Sequence, residues 1–162
     1  MEKLHIVLCG REGIPAAAVL ACRLWPEHDT SELEQEFSEL LESGRAAVFL
    51  AGDGDSWIGF AQCQLRSDYV EGTQTSPVGY LEGIYVEPEY RRRGIAARLL
   101  DACEAWAAEQ GCTEFASDAE ISNRVSRSFH KSTGFTEAAE IVHFAKKLPG
   151  FQSGSGDKDV IS

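Results

Sequence analysis

Two patterns of apolar residues follow one another along the chain. The first is a short continuous apolar run, and the second is a segment in which apolar residues recur with the period of a helix. Runs of the first kind, closed by proline, glycine or polar residues, predict β-strands. Apolar residues that recur every three to four positions predict amphipathic helices. The predicted strands are residues 5–9, 46–51, 56–65, 78–86 and 114–118, with extended structure at 135–148. The predicted helices are residues 14–25, 31–43, 95–110 and 122–133.

Local signals set the ends of the first two helices. Pro26 ends the first one. Ser31 and Glu34 have the spacing of a capping box, which predicts the start of the second helix near Ser31. Gly44 stands in the usual position after that helix. Residues 52–55, Gly-Asp-Gly-Asp, then predict the turn of a β-hairpin.

The order β-α-α-β-β-β-α-β-α-β predicts an α/β (α+β) fold in a single domain. Its consecutive middle strands predict antiparallel hairpins, and the strand–helix–strand unit after them predicts one parallel crossover. Residues 1–148 are expected to form this domain. Residues 149–162 are polar and glycine-rich, and we expect them to be a disordered tail.

The charge balance is acidic: 15 lysines and arginines oppose 26 aspartates and glutamates, which gives a net charge of −11. Nucleic acid is therefore excluded as an expected partner, because its binding relies on phosphate neutralisation by basic residues. A negative field attracts cationic ligands. Solubility alone explains the same acidity equally well.

Five cysteines are scattered without a Cys-x-x-Cys pair, so neither a disulfide framework nor a zinc site is indicated. The histidines also lack metal-ligand spacing, and we expect no metal. Free thiols favour a cytoplasmic protein. The sequence shows neither a signal peptide nor an apolar stretch of about 18 residues, so no membrane association is expected.

Residues 78–100 carry the most specific chemical signal. An apolar strand is followed by a basic turn, Arg91-Arg92-Arg93-Gly94-Ile95-Ala96, that opens into a helix. Free backbone N–H groups and the positive end of a helix can hold a diphosphate at such a turn. The turn has neither the Lys-Ser/Thr of a Walker loop nor a Gly-x-Gly-x-x-Gly fingerprint, which disfavours an NTPase or a dinucleotide-binding protein.

The motif Arg91-x-x-Gly94-x-Ala96 resembles the acetyl-CoA signature of the GNAT acetyltransferase superfamily. A longer set of segments, over roughly residues 1–148, resembles the aminoglycoside 6′-N-acetyltransferases of bacterial resistance. These segments are Trp25-Pro26-x-His28, Asp68-Tyr69-Val70, Ser76-Pro77-Val78, Leu81-Glu82-Gly83-Ile84, Ala116-Ser117-Asp118 and His130.

The resemblance implies that acetyl-CoA lies along the strand at 80–86 with its diphosphate at the basic turn. A backbone N–H near Ile84 is expected to polarise the acetyl carbonyl. The implied acetyl-CoA contacts are Ile84, Tyr85, Val86, Arg91, Arg92, Arg93, Gly94, Ile95, Ala96, Ala97 and Asn123.

The same resemblance implies a binding site for the antibiotic. The implied contacts are Trp25, His28, Asp29, Tyr69, Glu82 and Asp118. Glu82 is the candidate to accept the amine proton, with an electrostatic anchor for the ammonium as the open alternative. From the residues alone, a core aromatic is the favoured interpretation of Trp25. For Asp118, which ends a strand where a ligand contact is usual, the less favoured alternative is a cap of the helix that starts near Ser122.

Two positions depart from the family pattern. Many superfamily members have a tyrosine four residues before the final Gly-Phe, as the acid that protonates the leaving thiolate. His130 stands there in this chain, as a histidine often does in the subgroup, and the resemblance makes it the candidate acid. The subgroup pattern Glu-Thr-Glu is replaced by Glu137-Ala138-Ala139, which removes one expected carboxylate and leaves the drug specificity open.

We therefore expect direct acetyl transfer from acetyl-CoA to the 6′-amine of an aminoglycoside within a ternary complex, which confers resistance. The resemblance also implies a homodimer. Two alternatives remain at this point: an acetyltransferase of the same fold for a polyamine or peptide amine, and a non-catalytic acyl-CoA sensor.

Overall fold

A computed structural model describes residues 3–150. Five strands and four helices follow the predicted order as far as the last helix. They are β1 (Leu4–Leu8), α1 (Ile14–Leu24), α2 (Thr30–Ser43), β2 (Ala46–Asp53), β3 (Ser56–Arg66), β4 (Val78–Val86), α3 (Ile95–Glu109), β5 (Phe115–Ser117) and α4 (Arg124–Ser132). Short 3-10 turns precede α1 and α3, at Arg11–Gly13 and Pro88–Tyr90.

The strands form one sheet in the order β1-β2-β3-β4-β5. The first four strands pair antiparallel, whereas β5 pairs parallel to β4 after the crossover through α3. The predicted fold, a mainly antiparallel mixed sheet with one parallel pair, is confirmed. The β4–β5 pairing covers only Gly79 to Leu81 on β4, so β4 continues without β5 from residue 82 to 86.

Helices cover both faces of the sheet. On one face α1 and α2 enclose an aromatic and aliphatic core that includes Phe37, Phe60 and Leu50. On the other face α3 packs on small and aliphatic side chains, among them Ala61, Cys63 and Leu81. Both buried layers agree with the apolar positions of the helical repeats.

A β-bulge interrupts β4 at Glu82. Gln62 on β3 pairs with Gly83 and the next residue, Cys63, pairs with Leu81, so Glu82 has no partner of its own. The core on the α3 side confirms the extra residue, because it contains Leu81 and then Ile84, which are three positions apart. Bulges re-aim a side chain locally while the ladder continues on both sides.

The start of α2 differs from the prediction. Asp29, not Ser31, caps the helix: its Oδ1 accepts from the Glu32 N–H at 2.8 Å, and Glu32 Oε1 accepts from the Asp29 N–H at 3.0 Å. The sequence contains two overlapping capping boxes two residues apart. The one at Asp29 forms because that residue has the extended backbone a cap requires, with φ −97° and ψ 167°.

Residues 135–148 form no strand within the described part of the chain, which corrects the expected final β element. Several of their apolar side chains are exposed, with Phe144 at 91%. A strand needs a neighbouring edge for its backbone hydrogen bonds, and this segment pairs with none among the described residues. The predicted tail lies outside the described residues from position 151 onward. Between residues 3 and 150, every helix is too short or too polar to cross a membrane.

Candidate active site

The basic turn, residues 91–96, has the backbone of an anion site. Arg92 and Gly94 adopt left-handed conformations, with φ +64° and +77°. No side chain caps α3, which begins at Ile95, so the N–H groups of its first turn have no capping partner. A Cβ placed on Gly94 meets no atom within 4 Å, and the space above the turn is therefore open. We call residues 91–96 the anion-binding turn.

The arginine side chains of this turn also stabilise its own structure. Arg91 Nε donates to the Val86 carbonyl at 2.8 Å, which fastens the turn to the end of β4. The guanidinium of Arg93 lies 5.1 Å from the centre of the Tyr90 ring. Backbone N–H groups and net positive charge together fit a diphosphate, so the residues present suit acetyl-CoA as a cosubstrate.

A cavity of about 320 Å³ lies beside β4, where Glu82 lines it. It brings together three of the predicted substrate residues, Trp25, His28 and Glu82. Its remaining lining residues are Glu27, Leu33, Glu36 and Gln62. The cavity is therefore acidic, as a site for a cationic ligand requires.

Trp25 forms one wall of this cavity. Its indole lies so close to the backbone of Gly83 that a Cβ there would approach the ring to 2.6 Å. The ring also makes an edge contact with Phe60, at 6.0 Å between centroids. Trp25 is thus both a core neighbour and a cavity wall, and the two alternatives left by the sequence are compatible.

Glu82 is held by an arginine that the sequence reasoning did not consider. Arg66, the last residue of β3, donates to both carboxylate oxygens, from Nη2 at 2.9 Å and from Nε at 3.1 Å. Burial raises the pKa of Glu82 above its usual value, and Arg66 opposes that rise. The result is a desolvated carboxylate with a fixed orientation.

The same arginine connects Glu82 to the second predicted carboxylate. Its guanidinium stacks on the Tyr80 ring at 3.5 Å from the centroid, and the Tyr80 hydroxyl donates to Asp118. Burial and the bond to Asp118 raise the pKa of Tyr80. We call Glu82, Arg66, Tyr80 and Asp118 the carboxylate cluster.

His130 lies on α4 beside the end of β5. Its Nδ1 is 2.7 Å from the Ser126 carbonyl and its Nε2 is 2.8 Å from Ser117 Oγ. The ring packs between Phe129 and Phe135, with centroids at 5.9 and 5.0 Å. The histidine predicted as an acid therefore reaches the sheet through a serine hydroxyl.

The other three predicted substrate residues, Asp29, Tyr69 and Asp118, do not line the cavity, and the predicted acetyl-CoA contact Asn123 lies elsewhere. Asp29 caps α2, Asn123 caps α4 by accepting from the Ser126 N–H at 3.0 Å, and Tyr69 is 75% exposed on the loop before β4. Their contacts with substrate or acetyl-CoA remain predictions. Asp118 does not cap α4, which removes the alternative left for it.

Four site residues escaped the sequence reasoning: Arg66, Tyr80, Gln62 and Ser117. Gln62 is 4% exposed and its Oε1 has no hydrogen-bond partner within residues 3–150. A polar residue in an apolar strand was the available signal for Gln62. Arg66 and Tyr80 meet only through the β3–β4 register, which the sequence does not give. Within residues 3–150, no three or more His, Cys, Asp or Glu side chains are grouped to hold a metal ion.

Comparison with known proteins gives a consistent result. The family model described as acetyltransferase (GNAT) family matches residues 15–135. A curated relative from Acinetobacter genomosp. 13, an aminoglycoside N(6′)-acetyltransferase type 1, is 48% identical over 126 residues, which is 77% of this chain and 86% of the relative.

Solved structures agree with the relatives. An aminoglycoside N-acetyltransferase, AAC(6′)-Iy, in complex with CoA has a TM-score of 0.88 at 33% identity, over 91% of this chain and 97% of that one. The same enzyme with a bisubstrate analogue, CoA-S-monomethyl-acetylneamine, has a TM-score of 0.86 at 34% identity, over 90% and 99%. These matches confirm the resemblance drawn from the anion-binding turn and the longer segments.

Proposed function

The chain belongs to the GNAT acetyltransferase family, and from this premise we propose that it transfers the acetyl group of acetyl-CoA to the 6′-amine of aminoglycosides. It is an acetyl-CoA-dependent acyltransferase that acts by direct transfer within a ternary complex and confers resistance. The relatives are named for this reaction, and their identity extends over most of this chain.

One observation supports the proposal most directly: β4 joins two sites of opposite charge. The anion-binding turn follows its carboxyl end, and Glu82 projects from the bulge near its middle. Between them, residues 82–86 have no β5 neighbour. An extended donor with a diphosphate at one end and a thioester at the other can pair with this strand, so that its thioester arrives beside Glu82.

In the reaction, Glu82 accepts a proton from the substrate ammonium, which frees the nitrogen lone pair for attack. Its raised pKa favours this transfer, since a carboxylate of usual pKa is a poor base for an ammonium. Arg66 holds the carboxylate in one orientation. The N–H near Ile84 donates to the acetyl carbonyl as negative charge develops there.

An aminoglycoside fits the cavity better than a peptide does. Glu27 and Glu36 line it beside Glu82, so several ammonium groups of one polycation meet counter-charges. Trp25 presents an aromatic wall on which a sugar ring can pack. A polyamine is the competing substrate, because its ammonium groups match the acidic lining. It has no sugar ring to pack on Trp25.

Thiol release from acetyl-CoA, followed with neomycin and paromomycin, tests the function. These drugs differ only at the 6′ position, where the second has a hydroxyl in place of the amine. We expect rapid release with neomycin and none above background with paromomycin at matched concentration. Equal release with both drugs would overturn the 6′ assignment.

Spermidine and a peptide with a free N-terminus complete that experiment as competing acceptors. Release with spermidine alone would make the protein a polyamine acetyltransferase. Release with none of the four acceptors, together with tight acetyl-CoA binding by calorimetry, would indicate a sensor.

We further infer a homodimer. The exposed apolar side chains of 141–148, with Val142 at 77% and Phe144 at 91%, offer a surface that a second copy can cover. Sedimentation of the wild type should give twice the chain mass. Phe144→Lys should dissociate it, whereas Val125→Lys, an equally exposed position on α4, should not. A wild type that stays monomeric at micromolar concentration would contradict the inference.

We also infer a cytoplasmic location. All five cysteines are free thiols, and four of them are buried. Acetyl-CoA is a cytoplasmic metabolite, so the acetyl donor is available in that compartment. Fractionation of cells expressing the full chain checks this, and recovery in the periplasmic fraction would contradict it.

A further inference from the structure

We propose that Ser117 delivers the proton that the leaving CoA thiolate takes up, and that His130 supplies that proton through Ser117. This inference rests on the proposed function and changes the expected role of His130. The histidine stands where many family members have a tyrosine acid, but its ring is not free to meet the sulfur itself.

The hydrogen bonds of the ring determine where its protons are. The Ser126 carbonyl, 2.7 Å from Nδ1, can only accept, so Nδ1 carries a proton in both charge states of the ring. Nε2 is then unprotonated in the neutral ring and accepts from the Ser117 hydroxyl. In the imidazolium, Nε2–H donates to Ser117 Oγ and both ring protons have acceptors. The site therefore accommodates both charge states of His130. They differ only in the direction of the hydrogen bond between Nε2 and the Ser117 hydroxyl.

Ser117 lies beside the place that the proposed function gives to the thioester of acetyl-CoA. It is the last residue of β5 and pairs with Leu81, the residue immediately before Glu82. The free stretch of β4 begins at this point. The hydroxyl oxygen is 3.5 Å from the Leu81 carbonyl, too far for a strong bond, so the hydroxyl hydrogen can turn towards a ligand.

The amine nitrogen, which has given its first proton to Glu82, bonds to the acetyl carbon; the carbon–sulfur bond breaks, and its electron pair leaves with the sulfur. The nitrogen then releases its remaining extra proton to water and becomes the amide nitrogen. Ser117 gives its hydroxyl proton to the sulfur and takes the Nε2 proton of the imidazolium. His130 becomes neutral, keeps its Nδ1–H bond to Ser126, and Ser117 then donates to Nε2. After CoA leaves, water contacts Ser117, and a solvent proton returns to Nε2 of His130 through the Ser117 hydroxyl before the next turnover.

Phe129 and Phe135 restrict the access of water to the His130 ring. Both rings contact the imidazole, so water cannot surround it. Ser117 is then the polar side chain through which a proton on Nε2 reaches the sheet.

Four variants test the relay: Ser117→Ala, His130→Ala, the double variant and Ser117→Thr. Each single loss should lower kcat for neomycin about 100-fold, the low end for one lost proton transfer, with little change in KM. The double variant should be no slower than either single one, because both remove the same step. Ser117→Thr keeps the hydroxyl and should stay within about three-fold of the wild type. Ser132→Ala makes the same chemical change at an exposed position on α4; it is the control and should leave kcat unchanged.

Nitrogen-15 NMR of the imidazole in the free protein is the second arm, and it needs no acetylation. The wild-type neutral ring should show a protonated Nδ1, and Ser117→Ala should move the Nε2 resonance towards that of an unbonded ring nitrogen. Ser117→Cys, nearly the same shape with a weaker donor, replaces the alanine variant if that one does not fold.

Several results would overturn the relay: a Ser117→Ala kcat above half of wild type, effects of the two single variants that multiply in the double variant, or a neutral ring protonated at Nε2. A wild type that acetylates no aminoglycoside would instead remove the proposed function, and the NMR arm would still decide the hydrogen-bond arrangement.

Discussion

The anion-binding turn and the carboxylate cluster stand at two places along one strand and are built in opposite ways. The turn is six consecutive residues whose function comes from backbone conformation, with left-handed residues at Arg92 and Gly94. The cluster takes its four side chains from two strands, β3 and β4, and from the residue after β5. The anion-binding turn comes from one continuous segment of the sequence, whereas the carboxylate cluster forms only when the sheet has folded.

This difference separates what each site tolerates. A site made of backbone N–H groups is insensitive to most side-chain changes and sensitive to any residue that cannot adopt its dihedral angles. A site made of coupled side chains loses its geometry when one member is removed. A single substitution can therefore damage one site and leave the other intact.

Glu82→Gln should have the largest effect. It removes the proton acceptor but keeps the shape, so kcat/KM for neomycin should fall about 100-fold while the Kd for acetyl-CoA stays unchanged. Steady-state kinetics and calorimetry measure the two quantities. Glu104→Gln on α3 is the control, because burial raises the pKa of that carboxyl as well. Wild-type kcat across pH in Glu82→Gln would exclude Glu82 as the proton acceptor and leave it only the role of an electrostatic anchor for the ammonium.

Gly94→Ala should act on the other site alone. A left-handed alanine costs about 1–2 kcal/mol, which corresponds to a five- to thirty-fold weaker Kd for acetyl-CoA if the turn shifts to relieve it. Gly111→Ala is the matched control, since Gly111 follows the other end of α3 with φ +94° and equally open space. Equal losses of binding in both variants would show general strain rather than a ligand site.

Arg66→Met should change the pH dependence. Without the guanidinium, burial raises the pKa of Glu82 further, and the acidic limb of kcat/KM should move up by about one to three pH units. A folded-state pKa above the unfolded value makes the free energy of unfolding fall as pH rises between the two. The variant should widen that interval. Arg66→Lys, which keeps the charge, should move the limb less; no movement in either variant would contradict the coupling.

Tyr80→Phe should have a moderate effect. It removes the bond that orients Asp118, so the KM for neomycin should rise several-fold with kcat nearly unchanged. The lost hydrogen bond should reduce the free energy of unfolding by about 1 kcal/mol, or roughly 2–4 °C in Tm. Tyr69→Phe, on the exposed loop, should leave Tm unchanged. A fall in kcat alone would mean that Asp118 acts in the chemical step.

Glu36→Gln should have the smallest effect. An exposed counter-charge contributes little, so the KM for neomycin should rise about two- to five-fold at low salt. The difference from wild type should shrink as salt screens the pair. Kinetics at two ionic strengths measure this. A change in the Kd for acetyl-CoA would show that the charges of the cavity and the turn are not independent.

The sequence predicted the local parts of this molecule. The sequence correctly identified β4, the turn after it and α3. The apolar strand, the basic residues with their glycine and the helical repeat all lie in one continuous segment. The start of α2 was wrong by two residues because two capping boxes overlap there. The expected strand at 135–148 was wrong because an apolar run does not specify its partner edge.

The non-local parts could not be predicted. Arg66 contacts Glu82 because β3 and β4 pair in one particular register with a bulge, and no single segment encodes that register. Ser117 reaches His130 only after α4 folds back beside β5. The family resemblance supplied Glu82 and Asp118 as candidates, whereas the residues that orient them required the structure.

The bulge in β4 finally shows what the fold does and does not need. On either side of Glu82 the ladder is regular, and joining Leu81 to Gly83 would keep Ile84 and Val86 against α3. We expect a chain without that residue to keep the buried contacts of the strand and to lose its proposed proton acceptor. The proposed chemistry thus depends on a single inserted residue that the regular β3–β4 ladder does not require.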